Sequence, residues 1–336
     1  MLFSQDIGID LGTANTLICV KNKGIVLREP SVVAVAVGSG QPKVVAVGEE
    51  AKNMIGRTPG SITAVRPIKD GVIADYQMTA DMLRRFIKKA MSSSPFARAR
   101  VMISIPSGIT EVERKAVHDA ALSAGARYVS LIEEPMAAAI GAGIDVAAPK
   151  GSMIVDIGGG TTEVAVISLG DIVCARSLRV AGDMFDEAIV QFVRKKYSIL
   201  IGERTAEELK ISIGSAAKYD GEGALDIRGR NLVDGLPKNI EISSEDVRDA
   251  LSDPLGQIVE TVRGVLEKTP PELASDIMDN GIVLTGGGAL LRGVDRLLAS
   301  KTGMPARLAE EPLDCVVTGT AICLEKDTLN IGKKNK

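Results

Sequence analysis

The chain has few of the side chains on which many active sites depend. Its 336 residues include no tryptophan, one histidine and only 3% aromatic residues. Few aromatic rings argue against a base-stacking surface, and a single histidine leaves little support for Ser-His-Asp or Cys-His triads. That histidine, His118, falls on an amphipathic helix without a nearby nucleophile, so we interpret it as a surface or packing residue.

Excess charge and long apolar runs are also absent. The 40 basic and 43 acidic residues give a net charge of −3, so we expect no nucleic-acid partner and no membrane affinity beyond a local patch. No apolar run reaches membrane-spanning length, and the N-terminus lacks the features of a signal peptide. Together these absences predict a cytoplasmic protein.

Cysteine is scarce and isolated. The four cysteines are Cys19, Cys174, Cys315 and Cys323. They stand singly in apolar contexts without Cys-x-x-Cys spacing, which is typical of buried, reduced thiols. The chain length and its 45% hydrophobic residues predict two domains with sizeable cores.

The most informative stretch is 155–168, where an apolar strand ends at Asp156, turns through Gly158, Gly159 and Gly160, and returns as a second strand. Glycines accept positive φ, and their N–H groups can converge on an anion such as phosphate. Asp156 would then need a cation or water between itself and the phosphate, which suggests a magnesium-bound polyphosphate. The alternative is a type I′ hairpin with additional glycines.

A second stretch, 6–20, has the same pattern, with Asp10, Gly12 and Thr13 between two apolar strands. The two turns lie nearly half the chain length apart, which indicates a duplicated half rather than a short repeat. Two such hairpins facing each other would clamp one ligand.

A third glycine-rich turn follows the strand 282–285, and we expect a helix to begin within 286–291. A helix N-terminus of this kind favours anions and nucleotides. Neither Gly-x4-Gly-Lys-Ser/Thr nor Gly-x-Gly-x-x-Gly after a strand occurs, so nucleotide binding would need an architecture other than the P-loop or Rossmann type.

The strand 128–132 delivers Glu133, Glu134 and Pro135 to an alanine-rich segment. A carboxylate that enters a helix at a strand end is placed to face a ligand cleft. Alternatively, both acids are there only because helix N-termini favour negative charge.

Alternating strand and helix signals predict a mixed α/β fold. Capping boxes are predicted at Thr110 with Glu113, Thr205 with Glu208 and Ser243 with Asp246, and simple N-caps at Thr79 and Asp183. The helix after Thr110 is expected to bury a face that includes Val112 and Val117.

The three glycine turns, in this order, resemble the actin, heat-shock-chaperone and sugar-kinase ATPase superfamily. Within it, the following motifs are similar to those of the MreB/Mbl family of bacterial actins: Asp6-Ile-Gly-Ile-Asp-Leu-Gly-Thr-Ala-Asn-Thr16, Glu29-Pro-Ser-Val-Val33, Arg66-Pro67, Asp70-Gly-Val-Ile-Ala-Asp75, Ile132-Glu-Glu-Pro-Met-Ala-Ala-Ala-Ile140, Gly202-Glu-Arg-Thr-Ala-Glu207 and Thr269-Pro-Pro-Glu-Leu273. The resemblance covers almost the whole chain. It implies an α/β actin-like ATPase fold, with two related domains, each a mixed β-sheet flanked by helices, and the nucleotide in the interdomain cleft.

The resemblance also implies a division of the chain into four parts. Domain I would have a core of 1–32, 67–142 and 316–336 with a small subdomain at 33–66. Domain II would have a core of 143–180 and 257–315 with a small subdomain at 181–256.

Site residues follow from the same resemblance. Contacts to ATP are implied for Gly12, Thr13, Ala14, Asn15, Gly158, Gly159, Gly160, Thr161, Thr162, Glu207, Lys210, Gly286, Gly287, Gly288 and Ala289. Asp10 and Asp156 would hold Mg²⁺ through water. Glu134 matches the position that orients the attacking water, assisted by Thr161, and Glu133 is its rival. Hydrolysis is expected to be slow.

The family's partners are implied as well: further copies of the chain in filaments, the inner face of the cell membrane, and membrane proteins of the cell-wall synthesis machinery. Candidate membrane contacts are Met1, Leu2, Phe3 and Phe96, the last with basic neighbours at Lys88, Lys89, Arg98 and Arg100. An apolar tip with basic flanks suits an anionic surface. Alternatively, Phe96 packs into its own domain.

Two other classes of function compete with a filament ATPase. A small-molecule kinase of the same superfamily would need an acceptor pocket with its own general base, and the sequence offers no motif for one. A chaperone ATPase would need a substrate-binding domain after residue 336.

Overall fold

The computed structural model describes residues 5–36, 43–58, 60–91 and 99–334, and it contains two compact units. The first unit comprises Met1–Ala148, Leu169–Ile172 and Leu313–Lys336, and the second comprises Pro149–Ser168 and Val173–Pro312. Each unit is built on a five-stranded sheet. The finer division into four subdomains stays a prediction.

The first unit contains ten strands and five helices among its described residues. The strands are β1 (Gln5–Leu11), β2 (Asn15–Val20), β3 (Gly24–Pro30), β4 (Val33–Ala36), β5 (Lys43–Val47), β6 (Ile62–Val65), β7 (Ile68–Lys69), β8 (Val72–Ile73), β9 (Ala99–Ile105) and β10 (Tyr128–Glu133). The helices are α1 (Glu49–Lys52), α2 (Tyr76–Ala90), α3 (Glu111–Ser123), α4 (Glu134–Gly141) and α10 (Cys315–Lys334). The main sheet has the order β10-β9-β1-β2-β3, and smaller sheets are formed by β5-β4-β6 and β7-β8.

The second unit repeats this plan with eight strands and five α-helices. The strands are β11 (Ser152–Ile157), β12 (Thr162–Ser168), β13 (Asp171–Leu178), β14 (Ile199–Leu200), β15 (Ala224–Asn231), β16 (Pro237–Ser243), β17 (Ile282–Thr285) and β18 (Ala306–Leu308). The helices are α5 (Gly182–Tyr197), α6 (Glu203–Ile213), α7 (Ser244–Leu266), α8 (Pro271–Asn280) and α9 (Val294–Thr302), with a 3₁₀ helix at Gly287–Leu290. The main sheet has the order β13-β12-β11-β17-β18, and β14-β15-β16 form a smaller sheet.

The two main sheets share their connectivity and the register of their first hairpin. β1 pairs antiparallel with β2 and parallel with β9, as β11 does with β12 and β17. Leu11 lies opposite Thr16, and Ile157 lies opposite Thr162, so both hairpins close over loops of the same length. The duplication that the two glycine turns predict is therefore present in the backbone.

Each unit has its own hydrophobic core. In the first unit, Met82, Leu83, Phe86 and Ile87 of α2 are buried against the main sheet, as their spacing predicts. In the second unit β12 is buried at every position, so it has no solvent-facing side. Its Glu163 is therefore inside the protein, where Ser177 donates a hydrogen bond to it over 2.5 Å.

Two of the three predicted capping boxes are confirmed. Thr110 with Glu113 caps α3, and Ser243 with Asp246 caps α7. The box at Thr205 is wrong, because α6 begins two residues earlier, at Glu203, where the carbonyl of Gly202 accepts from the N–H groups of Thr205 and Ala206.

The predicted simple N-caps are wrong for a similar reason. α2 begins at Tyr76 because Asp75 accepts the N–H of Met78 over 2.9 Å, and Thr79 lies inside the first turn. Asp183 is likewise the second residue of α5, not its cap. Val112 in α3 is 79% exposed, which corrects the expected apolar face, whereas Val117 is buried.

Helix α10 packs very closely on two elements of the first unit. A Cβ at Gly319 would overlap the carbonyl oxygen of Ala137 in α4, and a Cβ at Gly141 would overlap the carbonyl of Cys315. At the start of α10, Arg28 of β3 forms a bidentate ion pair with Asp314, with Nη2 to Oδ2 at 2.6 Å. The base of the helix is thus tied to the main sheet, and its first turns lie on α4.

Gly319→Ala should destabilise the first unit by about 1–3 kcal/mol, because the added methyl group meets backbone that cannot rotate away. Gly256→Ala is the matched control, since Gly256 is an exposed helical glycine with open space at its Cβ. That variant should gain up to about 1 kcal/mol from helix propensity. Denaturant unfolding measures both, and equal shifts in the two variants would contradict the close packing.

Candidate functional site

At the tip of the first hairpin, two backbone carbonyls are held by one serine. The carbonyl of Gly12 accepts the hydroxyl of Ser31 over 2.6 Å, and the carbonyl of Ala14 accepts its N–H over 2.9 Å. The hydroxyl of Thr13 accepts the N–H of Gly71 over 3.0 Å. Within the described ranges, the N–H groups of Thr13 and Ala14 make no hydrogen bond.

The tip of the second hairpin is arranged in the same way by the start of α5. The carbonyl of Gly158 accepts the N–H of Gly182 over 3.1 Å, and the carbonyl of Gly159 accepts the N–H of Asp183 over 2.8 Å. Of the N–H groups at this tip, those of Gly159, Gly160 and Thr161 make no hydrogen bond to any described residue. A tip whose carbonyls are held and whose N–H groups are left over presents partial positive charge, which suits an anion.

A carboxylate precedes each tip, and a hydroxyl from the neighbouring parallel strand donates to it. Ser104 of β9 donates to Asp10 over 3.3 Å, and Thr285 of β17 donates to Asp156 over 2.7 Å. Asp156 and Thr285 are register partners, so the parallel pairing brings the two groups together. Asp156 is buried, and burial raises its pKa to about 6 although the hydrogen bond from Thr285 lowers it.

The third glycine turn lies against the end of β11. Gly286 has φ of +81°, and a Cβ there would overlap the carbonyl oxygen of Ile157, so only glycine fits. A Cβ at Gly288 would overlap the side chain of Ile157. Gly287 to Leu290, with Ala289 buried, form a 3₁₀ helix, and α9 begins only at Val294, which corrects the predicted helix start. The third turn and the second hairpin therefore adjoin within one unit.

Glu133 and Glu134 lie where β10 ends and α4 begins. Ser107 donates its hydroxyl to Glu133 over 2.9 Å, so that carboxylate has a partner within its own unit. Glu134 is the first residue of α4 and is 9% exposed, with Pro135 behind it. A buried acid at a helix N-terminus is favoured by the helix dipole, and its position is fixed by the helix.

On α6, Lys210 reaches the start of α5 instead of extending into solvent. Its ammonium group donates to the carbonyl of Gly182 and to Asp186, each over 2.9 Å. Glu207 lies one turn before Lys210 on the same helix. Thr162 donates its hydroxyl to the carbonyl of Val180 over 2.7 Å, which ties the hairpin to the residues just before α5.

The predicted site residues thus form one group in each unit. Asp10, Gly12, Thr13, Ala14, Asn15, Glu133 and Glu134 lie in the first unit, and the remaining nucleotide-contact and metal residues lie in the second. Among the described residues, no three His, Cys, Asp or Glu side chains gather as a metal site. Carboxylates beside open N–H groups fit Mg²⁺ held through water better than Mg²⁺ held directly. The assignment of each residue to a ligand stays a prediction.

Ser31, Ser104 and Thr285 are site residues that sequence reasoning missed. Ser31 lies in the motif Glu29-Pro-Ser-Val-Val33, but nothing in its spacing indicates that it donates to the carbonyls of the first tip. Thr285 directly precedes the third turn at a strand end, which is a usable signal, and Ser104 lies one strand away from Asp10 only because β9 pairs with β1.

The predicted membrane contacts Met1, Leu2, Phe3 and Phe96 lie outside the described residues. Of their basic neighbours, Lys89 forms an ion pair with Glu29. Arg100 is 19% exposed, and it contacts Asp6 over 3.3 Å and donates to the carbonyl of Leu324 over 2.9 Å. Arg100 therefore turns inward and adds little to a basic surface. In the part of the chain that the structure describes, no helix has both the length and the apolar character to cross a membrane.

A family model described as MreB/Mbl protein matches residues 4–331. The chain belongs to the MreB/Mbl family. It is similar to the cell shape-determining protein MreB of Escherichia coli (strain K12), with 57% identity over 328 residues, or 96% of this chain and 94% of the relative. It is also similar to the cell shape-determining protein Mbl of Bacillus cereus (strain ATCC 10987 / NRS 248), with 53% identity over 324 residues, or 96% and 97% of the two chains.

Solved structures similar to this chain have the same fold. MreB5 of Spiroplasma citri bound to AMPPNP is 43% identical, with a TM-score of 0.93 over 98% of this chain and 99% of its own. The same protein bound to ADP gives the same score and identity. The MamK double helical filament, at 20% identity and a TM-score of 0.81, shows the fold alone. The predicted family and the α/β actin-like fold are confirmed.

We compare the free energy of unfolding of Asp156→Asn with that of the unmodified chain, without nucleotide or Mg²⁺. The difference should shift in favour of the variant as the pH rises from 4 to 7. The folded chain holds the Asp156 proton more tightly, with a pKa of about 6 against 3.8, so this stabilisation is full below pH 4 and lost as pH rises through 6. The asparagine variant does not undergo this loss, which amounts to about 3 kcal/mol at most.

Asp246→Asn is the control for that measurement. Burial raises the pKa of Asp246, but hydrogen bonds from Lys196, Ser243 and Tyr197 outweigh it and bring the pKa to about 2. The stability difference of this variant should therefore stay nearly constant between pH 4 and 7. A constant difference for Asp156→Asn as well, in denaturant titrations at each pH, would contradict the buried-carboxylate interpretation.

Proposed function

We propose that this chain is an ATP-dependent, membrane-associated actin-like filament protein that organises cell-wall synthesis and maintains cell shape. The observation that carries the proposal is the pair of register-matched hairpins whose tips keep open N–H groups behind a carboxylate. Relatives named for cell shape determination and a relative bound to AMPPNP and to ADP support it.

In this proposal the two tips contact the phosphates of ATP. Thr13 and Ala14 from the first tip, and Gly159, Gly160 and Thr161 from the second, offer backbone N–H groups. Such donors are already oriented by the folded chain, so little reorganisation accompanies phosphate binding. The third turn at Gly286 would then lie on the adenosine side.

Mg²⁺ bound with the nucleotide would neutralise phosphate charge, and Asp10 and Asp156 are the residues that would hold it through water. The hydroxyls of Ser104 and Thr285 fix these carboxylates from the neighbouring strands. A nearby cation would favour the charged form of Asp156, whose burial otherwise favours the proton.

Glu134 is the residue that we assign to orienting the attacking water, with Thr161 assisting. Phosphoryl transfer to water depends on placing the nucleophile in line more than on a strong base. The first turn of α4 holds Glu134 in place, whereas the hydrogen bond from Ser107 gives the rival Glu133 a structural role.

Glu134→Ala should lower phosphate release by about 100-fold or more while leaving ATP affinity within a few-fold, because positioning of the water is lost and the phosphate contacts remain. Phosphate release and fluorescent-nucleotide binding are measured on the same preparations. Glu133→Ala tests the rival. Unchanged release by Glu134→Ala, with release lost in Glu133→Ala, would move the role to Glu133.

Self-assembly and membrane binding complete the proposal. Filaments would be formed by copies of this chain, and the apolar residues Met1, Leu2, Phe3 and Phe96 would contact the inner face of the membrane. Membrane proteins of cell-wall synthesis would be the partners there. The names of the relatives and the apolar-basic pattern of the sequence support this.

Sedimentation with Mg²⁺-ATP, with and without anionic phosphatidylglycerol vesicles, tests the function as a whole. We expect pelleting above a critical concentration and recruitment to the vesicles. Deletion of residues 1–3 together with Phe96→Ser should abolish recruitment and leave pelleting intact. A chain that stays in the supernatant at every concentration while phosphorylating a small acceptor would instead be a kinase, and full vesicle binding by the variant would refute both anchors.

A further inference from the structure

Lys210 and Asp186 form a buried ion pair between α6 and the N-terminal part of α5. The Lys210 ammonium lies 2.8 Å from Oδ1 of Asp186 and donates to Oδ2 over 2.9 Å. The side chains are only 17% and 6% exposed, so the charges attract each other in a poorly screened environment. Such a pair is costly to break on one side only, because the remaining charge is left buried.

The same ammonium group makes a third contact, to the carbonyl of Gly182 over 2.9 Å. Gly182 is the residue whose N–H donates to Gly158 at the hairpin tip, and the next N–H along the chain, of Asp183, donates to Gly159. Lys210 therefore holds the Gly182–Asp183 peptide, whose N–H donates to Gly159, and this peptide directly follows the N–H that donates to Gly158. Asp186 holds Lys210 in the position from which it can do so.

We propose that Asp186 is a positioning residue for phosphate binding, which acts through Lys210 and Gly182 to orient the tip of the second hairpin. Functionally the inference rests on the proposed ATP binding, but its structural part concerns α5, α6 and the tip alone. It also gives Lys210 a role in the protein besides the ATP contact that the family resemblance implies for it.

The charges around Asp186 are consistent with a closed pair at neutral pH. Burial raises the pKa of Asp186 to about 6, Lys210 lowers it, and Glu207 and Asp183 raise it. At pH 7.5 the carboxylate is thus still ionised.

The other end of α5 offers a matched control. There Lys196 and Tyr197 donate to Asp246, which also caps α7, so a lysine again contacts a largely buried carboxylate. No hydrogen bond among the described residues joins this pair to the tip, and the two pairs have only helix α5 in common.

The experiment compares Asp186→Asn with Asp246→Asn in the full chain at pH 7.5. Amide hydrogen exchange without nucleotide, read in peptides that span Gly182 and Asp183, reports how firmly the tip is held. We expect exchange there to rise roughly tenfold in Asp186→Asn and to be unchanged in Asp246→Asn, whose effects should stay near residues 196–197 and 243–246.

ATP affinity, measured with a fluorescent analogue, is the functional arm. Asp186→Asn should weaken ATP binding roughly tenfold, because a displaced tip no longer points its N–H groups at the phosphates. Asp246→Asn should change ATP affinity less than twofold. Asp186→Glu should recover part of the loss, which removal of a merely structural contact would not predict.

Equal exchange at Gly182 and Asp183 in the two asparagine variants would overturn the inference, as would faster exchange with unchanged ATP affinity. If Asp186→Asn does not fold, Lys210→Gln replaces it, since it removes the contact to Gly182 from the α6 side and should raise exchange at the same two amides. An unmodified chain that binds no ATP would refute the proposed function, while the exchange result would still decide the positioning role.

Discussion

The site depends on how each glycine hairpin disposes of its backbone carbonyls. A tight turn has carbonyl and N–H groups pointing in several directions, and an anion would be repelled by the carbonyls. In the first unit Ser31 takes up the carbonyls of Gly12 and Ala14, and in the second unit the N–H groups of Gly182 and Asp183 take up those of Gly158 and Gly159. With these carbonyls held, the N–H groups of Thr13 and Ala14 at one tip, and of Gly159, Gly160 and Thr161 at the other, are left as donors.

The carbonyls of the two tips are held by different groups in the two units, although the hairpin strands are paired in the same register. At the first tip the donors are the hydroxyl and the N–H of Ser31, and at the second tip they are backbone N–H groups at the start of α5. The two carboxylates, in contrast, are held in the same way in both units, since Asp10 and Asp156 each accept a hydrogen bond from a hydroxyl on the equivalent parallel strand. Burying Asp156 in this way works against stability above its pKa, which is a common property of residues retained for function.

Much of this could be predicted from local sequence. The hairpins, the two capping boxes at Thr110 and Ser243 and the apolar face of α2 follow from short-range patterns, and the family resemblance supplied the fold. The capping box predicted at Thr205 is wrong because α6 begins at Glu203, which makes Thr205 already the third residue of the helix. Ser104 and Thr285 could not be found because their relation to Asp10 and Asp156 exists only after parallel strands have paired across long stretches of chain.

The register of each hairpin decides which side chains its strands place on each face of the sheet. Side chains alternate along a strand, so a shift of one residue in the pairing register of either hairpin would exchange the two faces of the strand that follows. In β12 both faces are buried, and the exchange would move Glu163 into an apolar layer and an apolar neighbour into its place. Substitutions within the loops leave this alternation intact, whereas a register shift in either hairpin would not.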